Sequence, residues 1–372
     1  MDTSLKYRSF AEVEARGNSA IFEEWGIGVA EDPEILALID RLPEPRRQPN
    51  LVFGASRHLG APTGSYRSFR QWLTVHWSEV EQLARTRATQ TNEAGRAAVL
   101  LPLLGLLDGP LSLIEVGASA GLCLYPDRYS YLYDGHRYLH PADGPSEVVL
   151  ECATAGRPPI PENVPDVVYR AGVDLNPLDV TDTGDMRWLE SLVWPEQEHQ
   201  RQRLRGAAVI ARTDPPRLVR GDLNSAVADL VEKAPEGTTI VVFHSAVLSY
   251  LIPTVREEFV DTVRSLPCHW IANEGVGVLP AIDAQLTASP GGTPQQICCL
   301  SRRHTPRMSW WPRAISQLDQ PNLRGTRVSR RGTRLSRDDQ RSKPTAKVST
   351  HISPRQRADF EIRLADDERL NL

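Results

Sequence analysis

The stretch Leu111-Ser-Leu-Ile-Glu-Val-Gly-Ala-Ser-Ala-Gly121 joins a short run of apolar residues to a turn rich in glycine. A short apolar run that stops at a glycine is typical of a buried strand that ends in a loop. We therefore predict a strand at 111–116 and a loop at 117–121. The rest of the chain is interpreted around this strand.

Strands and helices alternate after this point in the sequence. Further strands are predicted at 167–173, 217–219, 238–243 and 269–272. Helical patterns lie between them, at 185–211, 223–233 and 255–265. Such alternation is typical of a mostly parallel sheet that carries helices on both faces, so we predict a doubly wound α/β fold.

Three segments make up the predicted organisation of the chain. Apolar residues at helical spacing predict a helical N-terminal domain over residues 1–110, followed by an α/β domain over 111–290. Asp134-Gly135 marks a β-hairpin inserted at 129–140. Residues 291–372 show no periodicity, so we predict a basic C-terminal tail that is disordered or divergent and leaves one edge of the sheet open. Only 296–300 could contribute a strand to cover that edge.

The composition is that of an ordinary soluble protein. The chain has 372 residues, of which 40% are hydrophobic and 24% are charged, and no apolar run approaches the ~20 residues that span a bilayer. No basic and then apolar signal segment begins the chain, so a cytoplasmic protein is expected. Five cysteines without C-x-x-C spacing predict free thiols and no metal site.

Charge is distributed unevenly along the chain. Residues 301–372 contain 17 Lys and Arg residues against 8 Asp and Glu residues, whereas the whole chain has 43 against 47. The part before the tail is therefore acidic. Because nucleic-acid affinity depends on clustered Lys and Arg, we expect no binding of nucleic acid except through the basic tail.

Polar residues follow the predicted strands at their carboxyl ends, where parallel sheets bind ligands. The candidate ligand-binding residues are Glu115, Gly117, Ser119, Gly121, Asp174 and Asp222. Glycines allow a ligand to approach the backbone closely, and carboxylates accept hydrogen bonds from ribose hydroxyls or an adenine amino group. The pattern predicts a crevice for a nucleoside-sized ligand.

These residues resemble the class I S-adenosylmethionine-dependent methyltransferases, which have a Rossmann-like fold. More narrowly, the stretches 113–122, 172–179 and 241–250 resemble an uncharacterised bacterial family, a domain of unknown function that is grouped with that fold. The resemblance implies that S-adenosylmethionine is the cofactor, with the loop at Gly117 beside its methionine part, Asp174 at the ribose and Asp222 near the adenine. It supplies no methyl acceptor.

Two other classes of function remain open. Gly117-Ala-Ser119-Ala-Gly121 also matches the G-x-S-x-G turn of serine hydrolases, in which Ser119 would be the nucleophile. A non-catalytic protein that keeps the fold as a binding or scaffold module is the other alternative. In a methyltransferase, His244 after the fourth strand is the best-placed general base, although a histidine bonded to a neighbouring group is an equally good interpretation.

Overall fold

The computed structural model describes residues 2–90, 92–154, 158–275, 277–283 and 295–300. All of them belong to one compact unit. The strands are β1 (Leu111–Val116), β2 (Ser130–Tyr133), β3 (Arg137–Leu139), β4 (Val149–Cys152), β5 (Val167–Asp174), β6 (Arg217–Arg220), β7 (Thr239–Ser245), β8 (His269–Gly275) and β9 (Gln295–Leu300).

Six strands form the central sheet, in the order β6-β5-β1-β7-β8-β9. The first five are parallel to their neighbours, and β9 pairs antiparallel with β8. Every residue of β1 is buried, as its apolar sequence predicts for the centre of a parallel sheet. The prediction of an α/β fold with a parallel sheet flanked by helices is confirmed.

Helices precede the sheet and connect its parallel strands. They are α1 (Thr3–Ser9), α2 (Ala20–Ala30), α3 (Pro33–Ile39), α4 (Pro49–His58), α5 (Tyr66–Thr86), α6 (Arg96–Leu104), α7 (Thr183–Leu192), α8 (Glu198–Thr213), α9 (Leu223–Glu232), α10 (Pro253–Ser265) and α11 (Pro280–Asp283). A π-helical segment, Phe10–Ala15, follows α1. In the described part of the chain, none of the helices combines the length and the apolarity needed to cross a bilayer.

The two faces of the sheet contribute to two apolar cores. One core joins Leu111 and Leu113 of β1 to residues of α1–α8 and of the small sheet formed by β2, β3 and β4. The other joins Ile114 and Val116 to α9 and α10. Because successive residues of a strand point to opposite faces, the alternation along β1 divides its side chains between these cores.

A hairpin is inserted after the first strand, and β4 pairs parallel with its β2 strand. Asp134 and Gly135 both have positive φ, and the N–H of His136 donates to the carbonyl of Tyr133. This is the geometry of a type I′ turn, which suits the twist of a hairpin.

Two features of the sequence prediction are corrected. The helix expected at 185–211 is two helices, α7 and α8, because Pro195 cannot continue a helix. The edge of β8 is not left open, since β9 pairs with it along six residues. The predicted tail therefore includes a sheet strand, and its remaining residues, 291–294 and 301–372, lie outside the described residues.

Candidate functional site

The topology changes direction between two neighbouring strands. The chain proceeds from β1 outward to β5 and β6, and then returns to β7 on the opposite side of β1 before continuing to β8. In open α/β sheets a ligand crevice lies outside the carboxyl ends of the strands at such a switch point. The residues that end β1 and β7 therefore border the expected crevice.

Polar side chains lie on one face of the sheet at this edge. Glu115 of β1 is paired with Gly172 of β5 and with Phe243 of β7. Two residues further along β7, Ser245 is paired with Asn273 of β8. Because side chains two residues apart share a face, Glu115, Ser245 and Asn273 all lie on the face whose apolar residues belong to the first core.

The loop after β1 contains three residues with a left-handed backbone. Gly117, Ser119 and Gly121 all have positive φ, with values of 71°, 52° and 72°. A Cβ atom on Gly117 would overlap Cγ2 of Val247 in the turn after β7. Glycine is thus required at this position both by the left-handed backbone and by the close approach of the neighbouring turn.

Asn92 clamps this loop from the segment that precedes α6. Its Nδ2 donates to the carbonyl of Ala118 over 3.2 Å, and its Oδ1 accepts from the N–H of Leu122 over 2.9 Å. Asn92 precedes α6, which begins only at Arg96. Its amide bonds to the loop, a role that the sequence does not indicate.

Asp174 joins the end of β5 to the same loop. One carboxylate oxygen accepts from the N–H of Ser119 over 2.9 Å, and the other accepts from the N–H of Asn176 over 2.7 Å. These two bonds fix the orientation of the carboxylate beside the loop. Each oxygen retains a further lone pair that can accept a hydrogen bond.

Glu115 is a buried acid with an unused oxygen. Its side chain lies beneath the loop and is 4% exposed, and Oε2 has no hydrogen-bond partner among the described residues. Burial raises its pKa to about 8, although the positive charge of Arg96 opposes this shift. Glu115 is therefore mostly protonated at pH 7, and its orphan oxygen is an unsatisfied polar atom at the switch point.

His244 is enclosed and uses both ring nitrogens. Trp270 donates its indole N–H to Nε2 over 3.0 Å, so the ring proton is on Nδ1, which donates to Glu274 over 2.7 Å. The imidazole is fully buried and packs against Phe259. In this arrangement the imidazole has no free nitrogen with which to accept a proton from a substrate.

Glu274 supports the turn after β7. Its Oε1 accepts from His244 and from the backbone N–H groups of Val247 and Leu248. Burial alone would raise its pKa, but these hydrogen bonds hold the pKa below the ordinary value. The side chain is 4% exposed, so this carboxylate is held inside the protein and not at its surface.

Ser119 and Asp222 both lie at this edge, but Ser119 is buried and Asp222 is exposed. The hydroxyl of Ser119 is buried without a hydrogen-bond partner, and among the described residues no histidine is bonded to it. Asp222 lies beyond the end of β6, where it caps α9 by accepting from the N–H of Asn224 over 2.9 Å. Asp222 is exposed, whereas Asp174 and Glu115 adjoin the glycine loop.

Arg96 is a further residue of this edge, and the sequence did not indicate it. It is the first residue of α6, and its Nη1 donates to the carbonyl of Ser245 over 2.9 Å. The side chain is half-buried, and it influences the pKa values of Glu115 and Cys123. A basic residue in a predicted helix gives no local signal that it reaches a strand end.

Comparison with other proteins gives one match. No curated protein and no solved structure matches the chain. A family model matches residues 5–310, which include the N-terminal helices, all described strands and every candidate residue above. The chain therefore belongs to the family described as "Uncharacterized protein conserved in bacteria (DUF2332)".

Proposed function

We propose that the chain binds S-adenosylmethionine at the carboxyl edge of the sheet, between β1 and β7, and transfers its methyl group to a small acceptor. The observation that carries the proposal is the placement of two carboxyl groups, Asp174 and Glu115, on adjacent strands beside a tight glycine loop. This combination lies at the switch point, where open α/β sheets bind nucleotide-like ligands.

The donor set suits the chemistry of this ligand. Asp174 accepts hydrogen bonds from ribose hydroxyls while its own orientation is maintained by Ser119 and Asn176. Gly117 and Gly121 allow the ligand to approach the loop. The unused Oε2 of Glu115 accepts from an amino group. Asp222, at the end of the neighbouring strand, borders the adenine.

In methyl transfer the protein itself needs to supply little covalent chemistry. When bound, S-adenosylmethionine supplies an activated methyl group, and the chain aligns the acceptor with it. His244 then acts as a positioning residue through Glu274, since its two nitrogens are already bonded. The acceptor is a group that needs no proton removed by this histidine.

Ligand binding can be tested directly by thermal unfolding with S-adenosylmethionine and S-adenosylhomocysteine. A ligand at 100 times its Kd adds about 2.7 kcal/mol to the free energy of unfolding, which raises Tm by several degrees. Asp174→Asn should weaken binding at least tenfold. Asp229→Asn, on the exposed side of α9, is the matched control and should bind as the parent does. No shift with either ligand at millimolar concentration would refute the proposal.

The serine hydrolase remains the second candidate because Ser119 has the strained, positive φ that a nucleophile in a G-x-S-x-G turn adopts. Its weakness is the lack of a general base within the described residues, since a serine hydroxyl needs a bonded histidine to become nucleophilic. A fluorophosphonate probe should leave Ser119 unlabelled. Labelling that disappears in Ser119→Ala would favour the hydrolase. If neither ligand shifts the unfolding temperature and the probe does not label Ser119, a non-catalytic scaffold would be favoured.

A further inference from the structure

The carboxyl edge of the sheet has a second half that the nucleoside part of the proposed ligand does not use. Asp174 ends β5, and Asp222 follows β6, so both lie on one side of β1. Ser245 and Asn273 lie on the other side of β1, where they are directly paired between β7 and β8. A methyl acceptor has to approach from a part of the edge that the nucleoside leaves free, and this pair lies there.

Asn273 is a buried amide that uses only one of its two polar atoms. Its side chain is 3% exposed, and Nδ2 donates to Oγ of Ser245 over 2.7 Å. Oδ1 has no hydrogen-bond partner among the described residues. A buried oxygen that has lost its water without gaining a donor destabilises a protein, so such an atom beside a ligand crevice indicates a donor on the ligand.

Ser245 supplies a hydrogen-bond donor beside that oxygen. Its Oγ accepts from Asn273, and within the described part of the chain its hydroxyl hydrogen has no acceptor. A serine hydroxyl donates one hydrogen bond as well as accepting, so this hydrogen is available to a ligand.

Hydrogen bonds to the backbone hold the two residues next to each other. The carbonyl of Asn273 accepts from the N–H of Ala246 over 2.8 Å, and the carbonyl of Ser245 accepts from Nη1 of Arg96 over 2.9 Å. The pair therefore presents one donor and one acceptor in fixed positions. A ligand that matches them pays little for ordering the protein.

The balance of donors and acceptors identifies the chemical class of the ligand group. Neither side chain is charged. A carboxylate has no hydrogen to donate to Asn273, and an ammonium has no acceptor for the hydroxyl of Ser245. A hydroxyl would have to serve both side chains through a single oxygen. A carboxamide serves them through two atoms, because its N–H donates and its carbonyl accepts.

We propose that Ser245 and Asn273 bind a neutral carboxamide group of the methyl acceptor, which donates to Oδ1 of Asn273 and accepts from the hydroxyl of Ser245. This inference rests on the proposed function and names the class of acceptor, a small molecule that carries a carboxamide. The carboxamide serves to orient the acceptor beside the methyl donor.

Four small probes test the match. Benzamide carries the carboxamide, and acetophenone has a methyl group in place of the amide nitrogen, so it cannot donate to Asn273. Benzoate and benzyl alcohol represent acids and alcohols. Ligand-observed NMR titrations of the full chain, with and without S-adenosylhomocysteine, should show that benzamide binds about tenfold more tightly than acetophenone, the effect of about one matched hydrogen bond. Benzamide should also bind more tightly than benzoate and benzyl alcohol.

A double variant separates recognition from structure. Ser245→Ala combined with Asn273→Leu replaces both polar partners by apolar groups, which is close to neutral for stability, so its Tm should stay near that of the parent. It should bind benzamide and acetophenone with equal affinity. Asn18→Leu, at an exposed position before α2, is the control and should keep the tenfold preference. A purely structural role of the pair predicts instead a lower Tm and an unchanged preference.

The outcomes distinguish this inference from the proposed function. In a chain that binds S-adenosylhomocysteine, equal binding of benzamide and acetophenone, or tighter binding of benzoate or benzyl alcohol, would overturn the carboxamide site alone. In a chain that does not bind it, a preference for benzamide that the double variant loses would retain the site and overturn the methyltransferase.

Binding of none of the four probes at about 10 mM would also overturn the site, because a small ligand with two matched hydrogen bonds binds in the millimolar range. If the double variant does not fold, the comparison of the four probes on the parent chain decides the question.

Discussion

At the scale of single residues, Glu115 shows how burial determines a chemical property. A carboxyl group that has lost its water without gaining an ion pair holds its proton, and its pKa rises to about 8. The unfolded chain releases that proton near the ordinary pKa of 4.5. Glu115 therefore contributes stability that is complete below about pH 4.5 and is lost as the pH rises through about 8.

Glu115→Gln should remove this pH dependence. The free energy of unfolding of the variant, relative to the parent, is expected to increase between about pH 5 and pH 8, by up to about 1.4 kcal/mol per pH unit. Urea unfolding at several pH values measures it. Glu257→Gln, at an exposed position of α10, is the control. Its free energy of unfolding should depend on pH in the same way as that of the parent. A constant difference between Glu115→Gln and the parent would contradict the assignment.

Asn92 provides a second prediction about a single side chain. Asn92→Ala removes both bonds to the loop and leaves the buried N–H of Leu122 without a partner. An unsatisfied buried donor costs about 1–3 kcal/mol, so the variant should lose about 2–4 kcal/mol in urea unfolding. Asn18→Ala, which removes one exposed bond, should cost less than about 0.5 kcal/mol. Similar losses for the two variants would mean that Asn92 does not hold the loop.

At the scale of elements, the site is formed by two turns that contact each other. Gly117 lies against Val247, and the turn that carries Val247 is fixed by Glu274. The backbone of each turn is therefore positioned by side chains from other segments. A substitution that shifts the backbone of one turn should therefore also shift the backbone of the other turn through this contact.

Gly117→Ala tests the contact between the turns. The added methyl group meets both a left-handed backbone and Val247, so the cost should be about 3 kcal/mol or more in urea unfolding. Gly237→Ala is the matched control, because Gly237 also has positive φ but has open space where its Cβ would lie. This control should cost about 1 kcal/mol, the strain of the left-handed backbone alone. Equal costs would show that the turns separate readily.

The strands could be predicted from the sequence because each buried strand is a short, continuous run of apolar residues. Of the three carboxylates that the pattern predicted at one crevice, Glu115 and Asp174 adjoin the glycine loop, whereas Asp222 is exposed and caps α9. Asn92 and Arg96 could not be found in this way. Their partners lie 26 and 149 positions away, and no local pattern encodes such contacts.

At the scale of the whole described unit, the N-terminal helices share a core with the sheet. Phe10 and Phe22 both contact Trp194, which follows α7, with ring centroids 5.8 Å apart in each case. Arg57 of α4 also donates to the carbonyl of Ser191 over 2.8 Å. The apolar core formed by these helices continues to Leu111 and Leu113 of β1 without interruption.

A continuous core predicts that the N-terminal helices and the sheet unfold together. Phe53→Ala should cost about 3–5 kcal/mol, because its buried ring contacts five other aromatic rings. Hydrogen exchange should then accelerate in β1 by the same factor as in α4, since opening of either exposes the shared core. Acceleration confined to residues 3–86 would show instead that these helices open alone, and the predicted N-terminal domain would then be an independent folding unit.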